Sequence, residues 1–175
     1  MLLNLTDVFT SEGKVKELSV PYEEKTFSYM GNEYEIKGDT VADMKLSNIG
    51  TGTVLVEGSV TALMIIPCDR CLEEVSTEIP LEIERKLDMK LTDEDRVNDL
   101  DESSYLTGMD LDVDRLVYLE VLMSWPLKVL CREDCKGICS QCGKNLNDGP
   151  CGCVEEPKDP RMAAISDIFS KFKEV

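Results

Sequence analysis

The sequence predicts an α+β fold. It reads as an antiparallel β-sheet or small barrel-like N-terminal part, followed by a helix, a C-terminal cysteine-rich zinc-binding module and a terminal helix. Three observations predict this. Between Tyr22 and Lys90, short apolar–polar alternations recur about every ten residues between turn-forming residues, as in small antiparallel sheets. Two later stretches carry apolar residues at helical spacing. The chain has 8 cysteines and no histidine, and the cysteines cluster at the short spacings of closed zinc sites.

Residues 1–20 read as a polar lead-in, in which Leu3, Leu5, Val8 and Phe9 mark a first strand or short turn. Residues 26–29 and 34–37 alternate with period two around Gly31-Asn32, a hairpin signal. Residues 41–47 form the next strand, and residues 48–52, with Gly50 and Gly52, a turn. Residues 53–58 and 60–66 read as two further strands. Cys68-Asp-Arg-Cys71 is then a knuckle-like turn. Residues 75–89 alternate again, and Pro80 within them, lacking an N–H, calls for an edge strand or a bulge. Residues 92–104 are acidic and have no apolar period, which fits a solvated loop. Asp110 or Asp112 caps a helix running to about Ser124, ended by Pro126, with Leu116, Leu119, Val121, Leu122 and Met123 on a broad apolar face. Asp159-Pro160-Arg161 opens the last helix, lined by Met162, Ile165, Phe169 and Phe172. The expected division is a β domain over 1–91 carrying the first knuckle, an acidic loop over 92–108, and a unit over 109–175 whose last helix packs back on the sheet.

The thiols carry the functional signal. Cys139-x-x-Cys142 is followed by Gly143 and then by Cys151-x-Cys153, four soft ligands within local reach. Cys68, Cys71, Cys131 and Cys135 remain for a second four-cysteine site, which would pin the turn after the sheet to the segment after the first helix. A rival division joins Cys131 or Cys135 to Cys139 and Cys142. A third reading leaves Cys68 and Cys71 unliganded. Iron–sulfur ligation also takes four cysteines, but knuckle spacings with a following glycine favour zinc. No thioredoxin-type βαβ pattern surrounds the CxxC pairs. Closed four-cysteine sites keep no open position for substrate or water. With no histidine base and no phosphate-cradling glycine loop, the chain is expected not to be an enzyme.

The formal net charge is −16, and all of it lies in residues 1–125, which hold 11 Lys/Arg and 27 Asp/Glu. Residues 126–175 hold 8 of each. A field of that sign repels nucleic acid, so any RNA contact belongs to the neutral, cysteine-rich end, and the acidic part suits a basic protein partner or simple solubility. No stretch reads as an export signal or a membrane span, which sets a reducing cytoplasmic expectation in which CxxC pairs bind metal.

The run Cys131-Arg-Glu-Asp-Cys135-Lys-Gly-Ile-Cys139-Ser-Gln-Cys142-Gly-Lys-Asn145-Leu-Asn147, then Cys151-x-Cys153 and Asp159-Pro-Arg161, resembles the bacterial YceD family (domain of unknown function 177). Cys68-Asp-Arg-Cys71-Leu72 is similar to that family's Cys-x-Arg-Cys motif at a strand end, and Trp125-Pro126 fits as well. The full cysteine set looks like the Gram-positive form. Ile138 and Ser140-Gln141 depart modestly from the pattern, away from the cysteines. The resemblance implies a factor in large ribosomal subunit biogenesis, acting on the 23S ribosomal RNA precursor or a ribosomal protein bound to it, and it brings no catalytic residues. Arg70, Arg132, Lys136 and Lys144 are the candidate RNA contacts, since a metal knuckle fixes their backbone. The alternative is an acidic adaptor that shields a basic ribosomal protein without touching RNA.

Overall fold

In a computed structural model, the structure describes residues 1–92, 94–95 and 104–153. Its frame is a long antiparallel hairpin of β6 (Thr53–Pro67) and β7 (Glu74–Asp88), 15 residues each, paired without interruption from Thr53↔Asp88 to Pro67↔Glu74. The other side of β6 is shared. Its first half pairs with β5 (Val41–Asn48) through Asn48↔Val54 to Asp43↔Ser59, and its second half with β4 (Asn32–Lys37) through Ile36↔Met64 and Lys37↔Leu63. Beyond these lie β2 (Val15–Pro21) on β5 and β3 (Thr26–Tyr29) on β4. All six strands are antiparallel, as the alternation predicts.

Residues 53–66 were expected as two strands, and they form one. Gly58 does not interrupt it, because a Cβ there would stand 2.9 Å from the Asp43 carbonyl oxygen. The missing side chain allows the close approach of β5 rather than marking a break. Residues 15–20, read as part of the lead-in, belong to a strand. Only Val20 of that strand is buried, so its alternation is faint. The β3–β4 turn centres on Met30 (φ 49) and Gly31 (φ 81), one residue earlier than expected, with Tyr29 opposite Asn32. Two successive positive φ values give the turn a twist that suits a two-residue hairpin. Pro80 lies on β7, which pairs with β6 alone, so the proline occupies an edge and no bulge is needed.

A second, three-stranded sheet joins β1 (Leu2–Asn4) to β9 (Asp110–Asp112) and β8 (Leu106–Thr107). The short α1 (Thr6–Phe9) follows β1. Asp112 caps α2 (Val113–Met123), its side chain accepting from the Arg115 N–H at 3.2 Å. Val113, Leu116, Val117 and Val121 of α2 enter the same core cluster as Leu46, Val56 and Leu81 of the large sheet. The chain leaving α2 is anchored by Trp125, whose ring lies 5.3, 4.7 and 4.8 Å from those of Phe27, Tyr29 and Tyr34. Such pairs add about 0.5–1.5 kcal/mol beyond area burial. They deliver the next residues to the turn end of the β6–β7 hairpin. Most of the expected acidic loop and the whole expected last helix lie outside the described residues.

Candidate metal centres

Cys68 and Cys71 sit in the turn between β6 and β7, where the Cys68 N–H donates to the Glu73 carbonyl at 2.8 Å and the Leu72 N–H to that of Cys68 at 2.9 Å. Leu72 takes φ 64 to close this turn. Asp69 then captures the chain arriving from Trp125. Its N–H donates to the Val129 carbonyl at 2.9 Å, and its carboxylate accepts from the Val129 N–H at 2.7 Å. Two residues later comes Cys131. The Arg70 guanidinium donates to the Cys135 carbonyl at 2.8 Å, and its own carbonyl accepts from Ile138 at 3.1 Å. Gly137 (φ 77) passes so close that a Cβ would meet that carbonyl at 3.0 Å. Asp69 and Arg70, inside the first knuckle, therefore place the segment that carries Cys131 and Cys135.

The outcome is two groups of four sulfurs: Cys68, Cys71, Cys131 and Cys135, and Cys139, Cys142, Cys151 and Cys153. Within each group all Sγ atoms lie within 4.8 Å of one another. This is the division the spacings favoured, and the rival joining Cys131 or Cys135 to Cys139 and Cys142 is not what the fold brings together. Cys68 and Cys71 have neighbours from the other segment: Cys68 Sγ is 3.8 Å from that of Cys135, and Cys71 Sγ 3.4 Å from that of Cys131. A tetrahedron with metal–sulfur bonds of about 2.3 Å has edges of about 3.8 Å. A disulfide needs about 2.05 Å, and all eight thiols are free. A multi-iron cluster would spread its sulfurs wider than a single ion does. The residues present thus fit one metal ion per group.

The first group is the more enclosed: Cys68, Cys71 and Cys135 are buried, whereas Cys142 in the second is exposed. Burial opposes ionisation of Cys68, but backbone groups of Cys71, Arg70 and Cys131 directed at its sulfur outweigh it and bring the thiol down to about 6. Cys139 also comes down to about 6, through backbone groups of Cys142 and Gln141. The Asn147 side chain holds Cys135 below the usual thiol range. Cys153 is pushed up to about 12, first by its hydrogen bond with Cys142 and then by burial. The hydrogen bonds in each group thus favour the thiolate that a cation needs, and binding displaces the thiol protons.

The second group is built locally. The Cys139 N–H donates to the Lys144 carbonyl at 2.8 Å, and the Gly143 N–H to that of Cys139 at 2.9 Å. Gly143 supplies the φ of 73 that this knuckle requires. A 3-10 turn, Leu146–Asp148, follows, with the Asn145 side chain accepting from the Asn147 N–H at 2.9 Å.

Of the candidate RNA contacts, Arg70 is committed to the Cys135 carbonyl. Arg132 is exposed, its Nε 3.5 Å from Asp134. The Lys136 side chain is exposed, while its N–H donates to the Asn147 side chain at 2.8 Å. Lys144 lies on the second knuckle and donates to the Pro150 carbonyl at 3.1 Å. Sequence reasoning missed Asp69, Glu73, Asn145 and Asn147 as supports of the thiols. Only the two asparagines carried any signal, as part of the family pattern.

A family model described as "Large ribosomal RNA subunit accumulation protein YceD" matches residues 56–169. An uncharacterized protein of Mycobacterium tuberculosis is 29% identical over 127 residues, 73% of this chain and 60% of that protein. One from Mycobacterium leprae is 25% identical over 128 residues, 73% and 58% of the two chains. The chain thus spans about 60% of the length of these mycobacterial relatives. A chloroplastic protein of Arabidopsis thaliana, "Large ribosomal RNA subunit accumulation protein YCED homolog 1", is 32% identical over 59 residues, 34% of this chain and 17% of that one. No solved structure matches the chain.

Proposed function

Since the chain belongs to the YceD family, we propose that it is a cytoplasmic, non-enzymatic factor in large ribosomal subunit biogenesis. It supports accumulation of 23S ribosomal RNA by binding the precursor through its zinc-stabilised end. The observation that carries this reading is the pair of four-thiol centres. In each, four cysteines fill a tetrahedron and leave no position for substrate, so bound zinc would supply rigidity and not chemistry. The residues that would hold it are Cys68, Cys71, Cys131 and Cys135 in one centre and Cys139, Cys142, Cys151 and Cys153 in the other. The fixed turns then display Arg132, Lys136 and Lys144 within residues 126–175, whose charges balance. Arg70 contributes by holding the two first-centre turns together rather than by reaching phosphate.

In-cell crosslinking followed by denaturing purification and sequencing of the attached RNA tests this, with enrichment of 23S precursor at discrete positions expected. Arg132→Ala with Lys136→Ala is expected to weaken RNA binding and flatten its salt dependence by about two counterions without unfolding the protein. Unchanged affinity and salt slope would remove the first-centre turns from the RNA surface.

The large sheet favours a second reading, an acidic adaptor for a basic ribosomal protein. Glu57 stands directly opposite Glu84, and Glu78, Glu82 and Glu84 recur on the exposed face of β7. Lys45 pairs with Glu57 at 3.0 Å, and the row of carboxylates along β7 offers a basic partner further ion pairs. Crosslinked ribosomal protein in an RNA-free preparation would favour this reading over the first.

A further inference from the structure

The segment between Cys142 and Cys151 belongs by its ends to the second centre, but its asparagines act on the first. The Asn147 Nδ2 donates to the Cys135 sulfur at 3.3 Å, and its Oδ1 accepts from the Lys136 N–H at 2.8 Å. The Asn145 Nδ2 donates to Glu73 Oε1 at 2.9 Å, and the Cys71 thiol points to Glu73 Oε2 at 3.6 Å. The backbone follows the same path: the Leu146 N–H donates to the Gly137 carbonyl at 2.8 Å, and Ile138 bridges to Asn145. A neutral amide is well suited to a sulfur that carries charge when metal-bound, since it donates without adding a second charge. Glu73 is less suited, because once Cys71 loses its proton the carboxylate faces a thiolate. Asn145 draws charge from the far oxygen of that carboxylate.

We propose that the Asn145-Leu146-Asn147 turn steadies the first centre, through the Asn147 hydrogen bond to the Cys135 sulfur and the Asn145 hydrogen bond to Glu73 beside Cys71, and that the two centres consequently load metal cooperatively. The proposal rests on the zinc reading above. A metal on Cys142 and Cys151 fixes both ends of the turn, and the fixed turn presents Asn147 to Cys135. Coupling of this kind is reciprocal: filling either centre raises the affinity of the other by the same factor. Asn145 and Asn147 are positioning residues, since neither offers a ligand atom to the ion.

The test uses the full chain loaded with zinc or cobalt(II). Native mass spectrometry counts bound ions, a chromophoric chelator reports their affinities, and cobalt–thiolate absorption reports the sulfurs. Asn147→Asp keeps the size and the acceptor for Lys136 but removes the donor to Cys135. It is expected to bind two ions at saturation, to weaken the first centre about 10- to 100-fold, and to shift that centre's cobalt–thiolate band. Asn147→Ala is expected to do the same, and Asp148→Ala, in the same turn, to do neither. In the unmodified protein, disabling the second centre with Cys139→Ser should weaken the first by the factor with which Cys131→Ser weakens the second, and Asn147→Asp should bring that factor toward one. Two ions bound with affinities and cobalt band unchanged by both Asn147 variants would overturn the coupling while leaving the zinc reading intact. A protein that binds no ion would overturn both.

Discussion

Glu120 is a carboxylate on the core side of α2, 5% exposed. Its Oε1 lies 2.7 Å from the Arg85 guanidinium, though no donor is aligned on it for a hydrogen bond. Burial raises its pKa, and Arg85 pulls against that shift. A carboxyl whose folded pKa is raised binds its proton more tightly folded than unfolded. Its contribution to stability is therefore full below the ordinary carboxylate range and is lost as pH rises through the raised value. Arg85→Ala is expected to cost about 1–3 kcal/mol in urea unfolding at pH 8, and less at pH 4, below the ordinary carboxylate value, where a group with a raised pKa is protonated. An equal cost at both pH values would refute the pairing. At this scale the cysteines were legible, because ligand type and short spacing are properties of the sequence. Asp69, Glu73, Asn145 and Asn147 were not, since each acts on a partner that only the fold brings near.

The β5–β6 ladder depends on the absence of a side chain at Gly58, where a Cβ would stand 2.9 Å from the Asp43 carbonyl. The obstacle is backbone and has no flexible end to swing away. Gly58→Ala is expected to lower stability by about 1–3 kcal/mol, seen as a fall in thermal midpoint, and an unchanged midpoint would show that β5 can shift freely. Elements were legible from sequence in proportion to their burial contrast. β7 alternates clearly because Ile79, Leu81, Ile83 and Leu87 face the core while charged residues face outward. β2 buries only Val20, and β8 and β9 hold two and three residues, so neither left a period to read. Asp112 was readable as a cap because capping needs only its own side chain and the first turn of the helix.

At the scale of the molecule, and among the described residues, one apolar core cluster runs from Leu3 to Val129 and contains none of the cysteines; Cys68, Cys71 and Cys135 cluster apart from it. Stripping metal with a chelator is therefore expected to leave the sheet's far-ultraviolet circular dichroism largely in place while lowering the thermal midpoint. Loss of the sheet signal on chelation would mean that the core does not stand alone. The two centres should contribute unequally to that midpoint. The second joins residues at most 14 apart, from Cys139 to Cys153, whereas the sulfur neighbours of the first are 60 and 67 residues apart. The entropy of closing a loop grows with its length, by about 0.6 kcal/mol per doubling. The first centre thus withholds roughly 1 kcal/mol more of freedom from the unfolded chain than the second. It is a clasp across a long excursion of the chain, and on a growing chain it cannot close until Cys135 has been made.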